Sequence, residues 1–147
     1  MNFRILVVCV LSFGLMLLVN ACATHTVSSD KPDLIAEPLT NTGGPKAYCR
    51  KNGNDLVVQV RNQSAVGSDQ ASRTQVTFFN GVDLKKVTGA LAGGATEDVT
   101  FPMPPSCFNP DCRFKIMVDA DNDIDESPGE TPDNREFNND AEGVCAG

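Results

Sequence analysis

The sequence has no Trp, one Tyr (Tyr48) and one His (His25) among its 147 residues. A sugar platform of stacked aromatics would therefore have to be built mainly from Phe. A Ser-His-Asp triad, a His base or a His-rich metal site would have only His25 to draw on. Basic residues are scarce too, with 12 Lys and Arg against 19 Asp and Glu and a net charge of −7. A nucleic-acid binder needs cations to neutralise phosphates, so no nucleic-acid partner is expected. No apolar run reaches the roughly 20 residues of a spanning helix. There is no convincing 3.6-residue periodicity and no internal repeat. At 41% hydrophobic and 21% charged the chain is still not disordered overall, and its length suits one domain.

What is present begins with an address. Arg4 precedes an apolar run from Ile5 to Val19, the shape of a secretory signal. The run ends Leu18–Val19–Asn20–Ala21–Cys22, which resembles the lipobox of bacterial lipoproteins: an aliphatic residue three before, and a small residue just before, an obligatory Cys. That resemblance implies a signal peptide over 1–21 and a mature chain starting at a triacylated Cys22, more lipid than the two signals stable anchoring needs. The membrane is then a partner through the lipid anchor, and the bacterial cell envelope the location. Ala23 follows the Cys, so the outer membrane is the default in a source with two membranes. Residues 22–31 read as a polar tether, and His25 falls within it.

Cys9 leaves with the signal and Cys22 takes lipid, leaving Cys49, Cys107, Cys112 and Cys145. An even number in an exported domain suggests two disulfides with three possible connectivities. Cys107 and Cys112 can close through a turn at Asn109–Pro110. Cys49 with Cys145 would then tie an early strand to the last, contributing about 4 kcal/mol in the chain-entropy view. A four-Cys zinc site is the weaker alternative, because the paired two-residue spacing is missing.

From residue 32 the chain reads as short alternating runs between turns. An edge strand fits Asp33 to Leu39, since Pro32 and Pro38 tolerate only an edge or an end. Leu56, Val58 and Val60 share one face. Asn52–Gly53 before them signals a two-residue hairpin that would pair 51 with 54 and set Cys49 opposite Leu56. Val76 and Phe78 precede a second signal, Asn80–Gly81, and Val82 to Thr88 returns. Val99, Phe101 and Met103 alternate, as do Phe114, Ile116, Val118 and Ala120. Asp140 to Cys145 makes a weak last strand. About seven short strands at regular spacing predict an all-β, immunoglobulin-like β-sandwich over 32–147.

Five pieces in order carry a resemblance: Pro32–Asp33–Leu34, Val60–Arg61–Asn62–Gln63, Leu91–Ala92–Gly93–Gly94, Val118–Asp119 to Glu126, and Asn138–Asn139. Together they resemble the CARDB domain, a bacterial immunoglobulin-like module named for a relation to cell adhesion. Departures are Ser64, Ala95–Thr96 and a longer stretch between Glu126 and Asn138. The resemblance implies a cell-surface module with an unidentified protein or glycan partner, whose Asp and Glu after Val118 serve loop hydrogen bonds.

The acidity is local. From Asp119 to Glu142 there are ten acids and one base, while everything before Asp119 is slightly basic. Asp119, Asp121, Asp123, Asp125 and Glu130 fall at positions 1, 3, 5, 7 and 12 of an EF-hand loop. Oxygen-only ligands suit Ca²⁺, so calcium is the expected cation. Ile124 stands where the EF-hand needs Gly and a strand leads in, so the helix-loop-helix fold itself is not expected. The competing expectation is that the acids pair with Lys or Arg of neighbouring strands. A glycosidase acid pair is not expected from such a loop, so no enzyme is expected. The chain reads as a lipid-anchored binding or adhesion-type module, or alternatively as an envelope spacer with no discrete ligand. Replacing Cys22 by Ser is expected to move the protein from the membrane to the soluble fraction and remove the acyl mass from its N-terminus. Membrane retention of Cys22→Ser would overturn the lipidation.

Overall fold

A computed structural model describes residues 31–40, 42–126 and 138–147. The expected signal peptide 1–21, Cys22, His25, nearly all of the tether and Glu130 lie outside the described residues. Among the described residues eight strands form an all-β, immunoglobulin-like sandwich, against the about seven expected. They are β1 (Leu34–Ala36), β2 (Lys51–Asn52), β3 (Asp55–Asn62), β4 (Ser72–Phe78), β5 (Asp83–Thr88), β6 (Thr96–Pro102), β7 (Cys112–Met117) and β8 (Asp140–Cys145). In the first sheet β3 pairs with β6 along its length on one side, and with β1 and β2 at its two ends. The second sheet runs β5-β4-β7-β8, all antiparallel.

Alternation decides which side chains meet between the sheets. Leu56, Val58 and Val60 of β3 and Val99 and Phe101 of β6 face Val76 and Phe78 of β4 and Phe114 and Ile116 of β7, all buried. Phe78 and Phe114 meet edge to face with centroids 6.1 Å apart, the geometry their quadrupoles favour. A Cys49–Cys145 disulfide ties the chain after the 3-10 turn Gly44–Tyr48 to the end of β8. Cys107–Cys112 closes the loop before β7. Because Cys112 and Cys145 are register partners, the two bridges meet at one end of the sandwich.

Both hairpins depart from the expected turns. Asn52 pairs with Asp55 and Lys51 with Leu56, so the turn is Gly53–Asn54 and Cys49 is not opposite Leu56. Gly53 has φ +62°, taking the first central position, where glycine serves a type II′ turn, instead of the second position of a type I′ turn. The second connection is the three-residue loop Phe79–Asn80–Gly81. It is closed by Phe78 N–H to the Val82 carbonyl at 2.8 Å and Gly81 N–H to the Phe78 carbonyl at 2.9 Å. Gly81 at φ +89° supplies the left-handed residue such a loop ends on. The extra residue leaves Phe79 56% exposed.

Gly143 of β8 lies opposite Phe114 in register, and a Cβ there would come 2.1 Å from the Phe114 ring. Gly143→Ala must shift that ring out of the core centre. It is expected to destabilise the domain by about 1–3 kcal/mol, read as a lower Tm. An unchanged Tm would show that Phe114 is not confined there.

Candidate functional site

The candidate site is the end of the sandwich where β3 and β7 finish and where the acidic segment begins. β7 stops at Met117, and Val118 is held by its N–H to the Asn139 carbonyl at 2.8 Å. The chain then turns sharply, with Asp119 at φ 47° and Asn122 at φ 54°. Asp and Asn tolerate this left-handed region better than most residues. The Asp119 carboxylate folds back over its own loop. One oxygen accepts the Asp123 N–H at 3.0 Å and the other the Ile124 N–H at 2.9 Å. The clasp pushes Ile124 into the core, where it is 4% exposed. Burial raises the Asp119 pKa, the two amide bonds pull it back, and the negative charges of Asp123 and Asp121 add to the rise.

The next carboxylates diverge. Asp121 lies between Lys85 of β5 and Arg73 of β4, bonded to both. The Lys85 hydrogen bond is the main cause that holds its carboxyl below the ordinary value, with the Lys85 and Arg73 charges acting the same way. Asp123 is 3.8 Å from Arg73, and its carbonyl accepts from the Gln70 amide. Asp125 pairs with Lys31 at 2.7 Å. Glu126 is buried, and one of its oxygens accepts the Leu34 N–H of β1 at 3.0 Å. The oxygens of Asp119, Asp121, Asp123 and Asp125 point at amides and at three different cations, while Glu130, the fifth expected calcium ligand, lies outside the described residues. Among the described residues no three His, Cys, Asp or Glu cluster as a metal site. The Asn138 amide donates to Asp33 at 2.7 Å, and Asn139 is buried. Lys115 of β7 pairs with Asp140 of β8 at 2.6 Å.

The organising residue of this end is Asn62, fully buried at the end of β3. Its amide nitrogen donates to the Val66 carbonyl at 2.7 Å and the Leu91 carbonyl at 3.1 Å. Its oxygen accepts the Asp33 N–H at 3.2 Å and the Ser64 N–H at 3.1 Å. One side chain thus joins the start of β1, the loop after β3 and the loop before β6. Gly93 lets those two loops touch, since a Cβ there would lie 2.1 Å from the Ala65 carbonyl oxygen. Sequence reasoning assigned Asn62 no role, yet it occupies the inward parity of Leu56, Val58 and Val60. A polar residue on an apolar face was the available signal. Beside these loops an open hollow of about 280 Å³ lies between Lys31, Gln70, Ile124 and Asp125.

The CARDB family model matches residues 31–139, nearly all of the described domain. The fold is similar to that of the CARDB domain of a Pyrococcus furiosus protein in complex with di-metal ions. The two are 20% identical with a TM-score of 0.54, over 79% of this chain and 93% of that one. It is also similar to a domain of a Methanosarcina acetivorans protein assigned to the cell surface, 19% identical with a TM-score of 0.57, over 79% of this chain and 91% of that one. At such identities these two establish the fold alone. No curated protein matches the chain.

Asn62→Leu, close in volume, leaves four backbone groups, one in a buried and three in part-buried bonds, without their partner. It is expected to cost more than about 3 kcal/mol, since each orphaned buried group costs about 1–3 kcal/mol. A loss under about 1 kcal/mol in denaturant unfolding would show that the four groups find other partners.

Proposed function

The chain belongs to the CARDB family, and on that premise we propose that it is a lipid-anchored, extracytoplasmic binding module of adhesion type with no catalysis of its own. CARDB domains are cell-surface, adhesion-related immunoglobulin-like modules, and the Methanosarcina neighbour's cell-surface assignment supports that placement. The lipobox-like Leu18 to Cys22 supports the anchor. The observation that carries the non-catalytic reading is the state of the acids. Asp119 and Glu126 are committed to backbone amides, and Asp121, Asp123 and Asp125 to Arg73, Lys85 and Lys31. Acid–base chemistry needs a pair of carboxyls facing a substrate cleft, and these face the protein itself.

Cation binding enters through the Pyrococcus domain, whose structure holds two metal ions. In this chain a Ca²⁺ ion at Asp121, Asp123 and Asp125 would have to displace Arg73, Lys85 and Lys31. In this reading the protein's own cations do the neutralising. A ligand that binds only the native state raises Tm by mass action. Millimolar Ca²⁺ added to metal-stripped protein is therefore expected to shift Tm by less than about 1 °C. A saturable rise of several degrees would restore the calcium cage. For the binding reading itself, a pull-down from envelope extract with the mature protein is expected to capture a partner saturably, with or without Ca²⁺. Capture that never saturates would leave the protein as a spacer with no discrete ligand.

A further inference from the structure

Of the ten described cations, six pair with a carboxylate, three stand over a Phe ring and Lys46 does neither. Lys31, Arg50, Arg61, Arg73, Lys85 and Lys115 each pair with a carboxylate. Lys51, Lys86 and Arg113 do not, and each stands over a Phe ring: Lys51 over Phe108 at 5.5 Å, Lys86 over Phe101 at 5.7 Å and Arg113 over Phe79 at 5.1 Å. Two of these rings, Phe79 and Phe108, reach the surface at the end carrying the Cys107–Cys112 loop, opposite the acidic end. They belong to one built surface. The Phe79 N–H bonds the Arg113 carbonyl at 3.0 Å, and the neighbouring Asn80 amide donates to Ser106 at 2.9 Å, just before Cys107. Between Phe108, Met103, Pro102 and Pro105 lies an open cleft of about 410 Å³, with Lys51 on its wall and Asp55 as the one acid among its lining residues.

We propose that this end is the partner surface of the module and that it takes an extended acidic peptide segment carrying an apolar side chain. The apolar side chain fills the cleft at Phe108 and the two prolines, and its flanking carboxylates reach Lys51 and Arg113. This rests on the binding reading given above and names the chemistry of its partner. Aromatics and Arg are the residues enriched in protein interfaces. A cation already held over a ring loses little freedom on gaining a carboxylate, and two cations without acids leave an unmet charge for the partner to meet. Two features favour a peptide over a lipid surface. The concave cleft suits a protruding side chain, and the chain leading from the N-terminal segment enters at Lys31, at the opposite end.

The probe is a fluorescein-labelled peptide, Gly-Glu-Glu-Phe-Pro-Glu-Glu-Gly, titrated with mature protein and read by anisotropy. Saturable binding is expected, weakening with added salt. Lys51→Glu and Arg113→Glu are each expected to weaken it at least about tenfold. Phe108→Ala does likewise, while Asp121→Asn at the far end leaves it unchanged. Each variant's Tm is checked first, and a peptide with Gln for every Glu is expected to lose binding even to wild-type protein. No saturation by millimolar protein overturns the proposal, as does equal binding of the Gln peptide. So does a Lys51→Glu protein that binds as wild type. Binding to phosphatidylglycerol vesicles that needs Lys51 and Arg113, without peptide binding, would assign the surface to lipid and overturn it too. If Lys51→Glu still captures a saturable envelope partner, the adhesion reading stands and only this surface is wrong.

Discussion

The fully buried side chain of Asn62 holds together the end of the sandwich on which the loops depend. It sits where β3 leaves the core, on the face that Leu56, Val58 and Val60 line with hydrocarbon. An amide in such a place is costly unless every donor and acceptor is met. Here both donors and two lone pairs are met by backbone, and the four groups come from three separate stretches of chain. Satisfying one residue therefore positions the start of β1 and both loops beside it. Glu126 adds a second tie to β1, and Asp119 clasps the turn that sends Ile124 back into the core. These are the loop hydrogen bonds that the resemblance to CARDB implied for the acids after Val118.

Charge is handled differently at the two ends. At the acidic end the described carboxylates are neutralised within the fold by amides and by cations from other strands. Among the described residues, Asp121 and Asp123 share Arg73 and Asp121 also meets Lys85, so the mutual repulsion of these two acids is met by cations of β4 and β5. At the disulfide end the situation is reversed. Cations there rest on aromatic faces, and two bridges converge on the strand ends that carry them, so the surface is rigid where it is least compensated. A rigid aromatic-cationic surface would lose little conformational freedom on taking a partner.

Much of the fold was legible from alternation alone. The inward residues of β3, β4, β6 and β7 were all readable at a period of two, because burial on one face of a strand leaves that mark whatever the neighbours are. The hairpins were legible as hairpins but not in register. Asn-Gly names a turn without saying whether glycine takes its first central position, its second, or the last place of a longer loop, and Gly53 and Gly81 chose differently from expectation. The EF-hand-like spacing of Asp119 to Asp125 was legible, but what each carboxylate faces was not. Spacing along a chain describes a cage only if the backbone wraps around a point, and here the left-handed residues Asp119 and Asn122 fan the side chains apart.

By itself the sequence determined the all-β sandwich, its inward faces, the even set of cysteines and the local excess of acid. All of these follow from composition and short-range period. Tertiary structure alone decided what each polar group would face. Asp121 meets Lys85, 36 residues earlier, Glu126 meets Leu34 across 92 residues, and Lys51 rests on Phe108. A buried or charged group takes its identity from whichever partner the packed sheets bring within about 3 Å, the reach of a hydrogen bond. That partner comes from another strand, so no spacing within the acidic segment could have named it.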